Sequence, residues 1–357
     1  PLGRITGAQN NNRQLQWRYD AAGRVIEDHQ DNHKLLHQYN AIGQRTASQL
    51  PNGETVQYQH DNNGAFTGLN YGDNQVASIT RDSLGREIKR SLSNNVTTEH
   101  NYDPQGRLQR QTTYKAGTES NRPAISQRSY SYTQQGQLSQ IDDLQRGTTQ
   151  YHYDAVNRLT QVEGPNPESF VHDPAGNILA IDSSKKAPTS TASTPKHANQ
   201  VQGNRLKFQG DTHYQYDAKG NRIAQVRGKG QKLKTAYRYN SLNQLVAVNN
   251  NGANTVYQYD ALGRRISKQN QHERTDFLWF EDVLLSETTQ TRNSVAQTSL
   301  QTKVYLFEPN TFKPLAFVQG EVLYHYHLDH LGTPQEITNA NGEVVWAASF
   351  KAYGNLA

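Results

Sequence analysis

The chain has 357 residues, with 37 Lys+Arg against 32 Asp+Glu, no Cys, no Met, 20 Tyr and 26 Gly, and a mean hydropathy of −0.92. Leu, Ile, Val and Phe together supply about 19% of the residues, a level at which disorder becomes an option, yet a net charge of +5 is too small for a charge-driven disordered chain. The lack of cysteine excludes disulfides and thiolate zinc sites, and no apolar run is long enough for a membrane-spanning helix.

The start, Pro1-Leu2-Gly3-Arg4, lacks both an initiating Met and a basic-then-apolar leader, so the chain is expected to be part of a longer product. Those four residues fit the second half of a motif that then recurs. Its clearest copy is Tyr19-Asp20-Ala21-Ala22-Gly23-Arg24: an aromatic residue, Asp or Asn, two variable residues, Gly, then usually Arg. Further copies carry Tyr102, Asp103, Gly106 and Arg107; Tyr153, Asp154 and Asn157; Tyr216, Asp217 and Gly220; and Tyr259, Asp260, Gly263 and Arg264. Anchored on the Gly position, the series runs 3, 23, 43, 64, 85, 106, 136, 157, 176, 220, 243, 263. Apart from one step of 30 and one of 44, every step is 19 to 23 residues, the period of a repeat array in which each unit buries its face against its neighbours.

Before each turn, apolar and aromatic residues alternate with polar ones, as in Leu15, Trp17 and Tyr19 or Tyr257 and Tyr259. This is a strand signal of period two. The Gly anchor marks a tight connection needing positive φ, and Asn, which stands there at 157 and 243, is the non-Gly residue that best tolerates that region. The Asp or Asn after the Tyr suits the same turn, because its side-chain oxygen can accept from a nearby backbone N–H. Each unit therefore reads as one hairpin, and the fold class as all-β, built of antiparallel hairpin repeats.

The organisation predicted is an array of about twelve units over 1–275 and a distinct late segment over 276–357, where the repeat fades into apolar runs such as Phe277-Leu278-Trp279-Phe280 and Val344-Val345-Trp346. A Ser/Thr/Pro-rich surface loop is expected at 182–200 and a polar loop at 287–302.

His325, His327 and Asp329 stand two residues apart and could present N and O ligands to Zn²⁺ from one strand face; the plainer reading is that they are strand and turn residues. The repeated Asp residues could be imagined as paired hydrolytic carboxylates, and Asp103-Pro104 or Asp173-Pro174 as cleavage points, but their fixed turn position favours capping. A pI near 9.1 invites a nucleic-acid reading, yet the arginines recur once per unit and are dispersed, so no direct nucleic-acid binding is expected. Tyrosine rows could stack on sugars, although aromatic stripes at strand spacing are more often packing.

The Tyr-Asp-x-x-Gly-Arg units, together with Tyr326-His327-Leu328-Asp329-His330-Leu331-Gly332-Thr333-Pro334 and Tyr305-Leu306-Phe307-Glu308-Pro309, resemble the Rhs/YD-repeat proteins: bacterial polymorphic toxins, insecticidal toxin-complex proteins and animal teneurins. The segment carrying Asp329, His330, Gly332 and Pro334, within 325–357, is most similar to that of proteobacterial Rhs effectors exported by type VI secretion. The resemblance implies a spiralling β-sheet shell, or cocoon, that encloses a C-terminal toxin domain for delivery in interbacterial competition. It implies that this fragment is not itself an enzyme, the family's self-cleavage motif and toxin lying downstream of the segment seen here. The partners implied are the chain's own toxin domain, the remaining shell, a secretion spike protein and a chaperone, with no cofactor. The protein would be made in the bacterial cytoplasm, then secreted or translocated into a target cell. The alternative is a carbohydrate- or cell-surface-binding adhesion module of a toxin-complex or teneurin-like protein.

Overall fold

The computed structural model describes residues 3–116, 124–182, 200–202, 205–209, 211–292 and 298–357. Among these the chain is all-β: a seventeen-stranded sheet runs from Gly7–Gln9 to Ile178–Asp182, and a fifteen-stranded sheet from Gln200–Gln202 to Val344–Ala347. The registers show strands consecutive in sequence paired antiparallel, as in Leu15↔Gln30 and Tyr237↔Val248. This meander is what a series of hairpins separated by short turns must give, because an antiparallel partner needs only a tight connection.

The chain gathers into two compact units: 1–101 with 111–125 and 257–347, and 102–110 with 126–256 and 348–357. The division expected at 275 is not found there. That position lies inside the strand Glu273–Phe280 and inside the first unit. The polar loop expected at 287–302 is also corrected. Strands Val283–Arg292 and Thr298–Phe307 occupy most of it, with Glu287 opposite Lys303 and Thr288 opposite Thr302. Polar cross-strand pairs can hold a strand as well as apolar ones, so polarity alone misplaced the loop; Lys303 sits 3.4 Å from Glu287, and the Thr288 and Thr302 hydroxyls are 3.0 Å apart. The loop expected at 182–200 lies, apart from its end residues, outside the described residues. Nor does the repeated turn stop at 275, since the same hydrogen-bond pattern returns at Asp329–Thr333, Asn339–Glu343 and Lys351–Asn355.

Within the first unit, Leu50, Val56, Leu69 and Val76 of the first sheet pack against Val304, Leu306, Leu315, Ala316 and Val318 of the second. The apolar runs late in the sequence are therefore the second wall of this core. Within the second unit the buried apolar set is small, with Tyr130, Val162, Phe170, Ala224 and Val226, and a buried ion pair between Arg128 and Asp143 at 2.8 Å.

Leu69 and Leu315 are at most 1% exposed. Truncation of either to Ala is expected to lower stability by about 2–5 kcal/mol. Ile42→Ser, at a turn residue 74% exposed, should change it by less than about 0.5 kcal/mol. Urea denaturation of the three variants checks the contrast.

Candidate functional site

The feature the sequence repeats is a five-residue turn. In Asp20–Arg24, the Gly23 N–H donates to the Asp20 carbonyl at 3.0 Å and the Asp20 N–H to the Arg24 carbonyl at 3.0 Å. This is a three-residue hairpin connection whose last residue is left-handed. Gly23 has φ 85° and Gly106 φ 82°, Gly220 and Gly263 lie at 91° and 85°, and Asn157 stands in the same region at 67°. The ladder slips by one residue just before the tyrosine, between Arg18 and Tyr19 and likewise between His152 and Tyr153 and between Gln215 and Tyr216.

The Asp side chain closes the turn. Asp20 Oδ1 accepts the Arg24 backbone N–H at 2.9 Å, and Oδ2 accepts Arg24 Nε at 2.6 Å. Asp103–Arg107, Asp154–Arg158 and Asp260–Arg264 repeat this pair. In Asp217 the partner is Asn221, whose Nδ2 donates at 2.9 Å. Where the first residue is Asn, the polarity reverses: Asn40 donates to Gln44 and Asn339 to Glu343, each at 2.9 Å. In these copies the first and fifth residues are thus complementary as acceptor and donor, a pairing already written in the sequence of each motif. The Arg24 backbone N–H, and then its guanidinium, hold the Asp20 carboxyl below its ordinary pKa.

Neighbouring turns clasp each other. Tyr39 Oη donates to the Val25 carbonyl at 2.8 Å, while Arg24 Nη1 reaches forward to the Asn40 carbonyl at 2.9 Å and the guanidinium lies 4.9 Å from the centre of the Tyr39 ring. Tyr19 donates to Ile5, Tyr153 to Leu138 and Tyr216 to Leu206 in the same way. Tyr102 and Tyr259 occupy the same final strand position. The exposed Arg4 side chain lies where Gly23 leaves room, its Nη2 1.9 Å from the position a Cβ would take.

A polar seam joins the two sheets inside the first unit. The Gln30 side-chain amide pairs with both backbone groups of Trp279, where the second sheet's ladder slips by one residue. A bulge leaves backbone groups unpaired, and an amide side chain is the group that can satisfy a donor and an acceptor together. Asn10 donates to the Tyr259 carbonyl and Arg13 to that of Phe277, each at 2.8 Å, and Gln111 to that of Leu328 at 2.9 Å. Arg90 joins Glu87, at 2.8 Å, to Glu308. Asp28 lies in the same seam, 2% exposed. Burial pushes its carboxyl up to about 6 against the opposing pull of Arg264.

The three candidate metal ligands are not brought together. Strand Val322–Leu328 ends before Asp329, so only His325 and His327 share its buried face. His325 Nε2 is 3.1 Å from Ser93 Oγ, and His327 Nε2 is 2.8 Å from Thr338 Oγ1. Burial lowers the His325 pKa to about 4, so the ring is neutral. Asp329 caps its own turn, accepting the Leu331 and Thr333 N–H groups at 2.9 Å, with Gln335 Nε2 at 3.0 Å. His330 and Gly332 complete that turn, Gly332 with φ 87°, and Pro334 opens the next strand. Among the described residues no three His, Cys, Asp or Glu side chains are grouped so as to hold a metal ion.

Comparison with known proteins places these features. The family described as Teneurin YD-shell matches residues 139–357. Double-stranded DNA deaminase toxin A of Burkholderia cenocepacia is 28% identical over 374 residues, covering 96% of this chain and 25% of its own length. Toxin protein Tse5 of Pseudomonas aeruginosa is 26% identical over 268 residues, covering 66% of this chain and 20% of its own length. The chain thus spans about a quarter or less of these relatives. Among solved structures, the TcdB2-TccC3-Cdc42 crystal structure superposes with a TM-score of 0.79 at 16% identity, covering 99% of this chain and 21% of that one. At that identity the likeness shows the fold.

Three outcomes test the geometry. Gly43, at φ 89° with no atom closer than 4.0 Å to a built Cβ, should lose about 1 kcal/mol on substitution by Ala, whereas Asn157→Gly should be nearly neutral. Asp260→Ala strands the buried Arg264 and should cost about 3–5 kcal/mol, far more than Asp154→Ala. The Asp28 pKa is raised in the fold, so its contribution is fully present below the unfolded value near 3.8 and is lost as pH rises through about 6. Asp28→Asn should therefore raise the melting temperature at pH 7.5, with the gain gone by about pH 4. Melting curves at the two pH values check this.

Proposed function

Because the chain belongs to the teneurin YD-shell family, we propose that it is a section of the wall of a shell that encloses a C-terminal toxin domain of the same polypeptide. The observation that carries this reading is the uniform turn. Its Asp, Arg and Tyr side chains are spent on each other and on neighbouring backbone, as Asp20 with Arg24 and Tyr39 with Val25 exemplify. Such a wall acts by confinement: a closed sheet denies its cargo a partner and the volume needed to fold. The chain carries no reaction of its own in this reading; the activities named for the toxin relatives belong to those whole proteins.

Tse5 and the Rhs proteins of Dickeya dadantii among the relatives support the finer reading of an effector made in the bacterial cytoplasm and exported by a type VI system against competing bacteria. A spike protein and a chaperone would then be partners of the full-length protein. The adhesion reading is disfavoured by the tyrosines, whose hydroxyls are taken by backbone carbonyls and whose rings lie under arginines, as Tyr39 and Tyr132 do under Arg24 and Arg107. Sugar stacking needs those faces free.

Limited proteolysis of the full-length parent tests the proposal. The downstream domain should survive inside the shell and be digested when expressed alone; Arg90→Ala, which removes the link to Glu308, should shorten its survival. Equal digestion of shelled and free cargo would overturn it.

A further inference from the structure

Inside the first unit, a small recess opens between the sheets. Its floor is apolar, with Leu35, Leu50, Val56 and Leu306 all at most 4% exposed. Two nitrogens in its wall lack what their chemistry demands. Arg45 lies with its guanidinium 4.7 Å from the Tyr58 ring centre and 4.1 Å from that of Phe280, and its buried Nε has no hydrogen-bond partner. Among the described residues it forms no ion pair, unlike the motif arginines Arg24, Arg86, Arg107, Arg158 and Arg264. Beside it, His37 is 4% exposed; its Nδ1 meets Ser48 Oγ at 2.9 Å, but its Nε2 is buried and unpartnered. Burial, with help from Arg45, lowers the His37 pKa to about 3, which leaves Arg45 as the cation of the recess. Of the carboxylates lining it, Glu308 is already held by Arg90, and Glu281 is exposed.

A guanidinium clamped between two aromatic rings is preorganised for an anion, because its donors are fixed in a plane and its rotamer freedom is already lost. The first strand residue after a motif turn is elsewhere often aliphatic, as Val25, Leu108 and Leu159 are. Arg222 and Arg265 share the position and also lie over aromatic rings, but both are exposed. Arg45 is the copy set over a cavity. We propose that this recess is a binding site for a small aryl or alkyl carboxylate, the apolar group lying on the leucine and valine floor and the carboxylate meeting the guanidinium of Arg45. The assignment rests on the recess alone and is independent of the shell reading.

Isothermal titration of the whole chain with phenylacetate and hexanoate, against 2-phenylethanol, hexanol and hexylamine, tests it. Each acid should bind saturably and at least about tenfold more tightly than its alcohol, with the amine weakest. Arg45→Gln should bring the acids down to the level of the alcohols, and Arg45→Lys should fall between. Near-UV circular dichroism reports whether the variants keep the fold, and the acid-against-alcohol comparison on the unaltered chain decides the matter even where they do not. Equal binding of acids and alcohols, preference for the amine, acid binding unchanged in a folded Arg45→Gln, or no saturable binding by any probe would each overturn the proposal.

Discussion

The structure depends on one backbone constraint: the fourth residue of each five-residue turn must be left-handed. A type I turn alone would splay the strands it joins, and the left-handed residue that follows restores the twist a hairpin needs. The resulting one-residue slip then sets the register of the strand pairs these turns join, as in Trp17↔Asp28 and Tyr237↔Val248. Placing Tyr39 at the end of its strand, opposite Arg45, turns its ring toward the preceding turn. The Tyr hydroxyl, the Arg guanidinium and the missing Cβ of the glycine can meet only because this geometry recurs at nearly constant spacing.

A chain so poor in aliphatic residues needs other sources of cohesion. The larger apolar cluster of the first unit gathers nine buried residues, and a second gathers only Ala77, Leu92 and Val96. Around it, the two sheets are joined by side chains that complete backbone groups a bulge or strand end leaves open, as Gln30 does for Trp279. Leaving such groups unmet in a buried place is more destabilising than forming the bond is stabilising. The amides and arginines of the seam therefore act mainly by preventing a loss, and their placement fixes how the two sheets of that unit lie on one another.

The strands and turns of the array were legible because they rest on local chemistry: alternation before Tyr19 or Tyr153, Gly or Asn where φ must be positive, Asp where a backbone N–H needs an acceptor. What escaped was non-local or depended on a tolerant position. The turn at Asp329–Thr333 has Leu328 and Thr333 in place of Tyr and Arg, so it looked like a separate segment although its backbone bonds match those of Asp20–Arg24. The strand residues 287–292 and 298–302 are held by polar pairs that composition alone reads as loop. The contacts of Gln30, Arg13 and Arg90 span more than 200 residues, a separation at which no spacing rule operates. The recess at Arg45 was invisible for the same reason, since its walls come from strands some 240 residues apart.

The same separation of local from non-local rules explains how the fold is kept at low sequence identity to structures that share it. The turn asks for a left-handed residue and for a donor opposite an acceptor, and it accepts Asp with Arg, Asp with Asn, or Asn with Gln or Glu. Each substitution within that grammar keeps the register, so the wall can diverge while its geometry stays. A structural wall is free to do this, whereas a catalytic constellation, which needs particular side chains at fixed distances, is not.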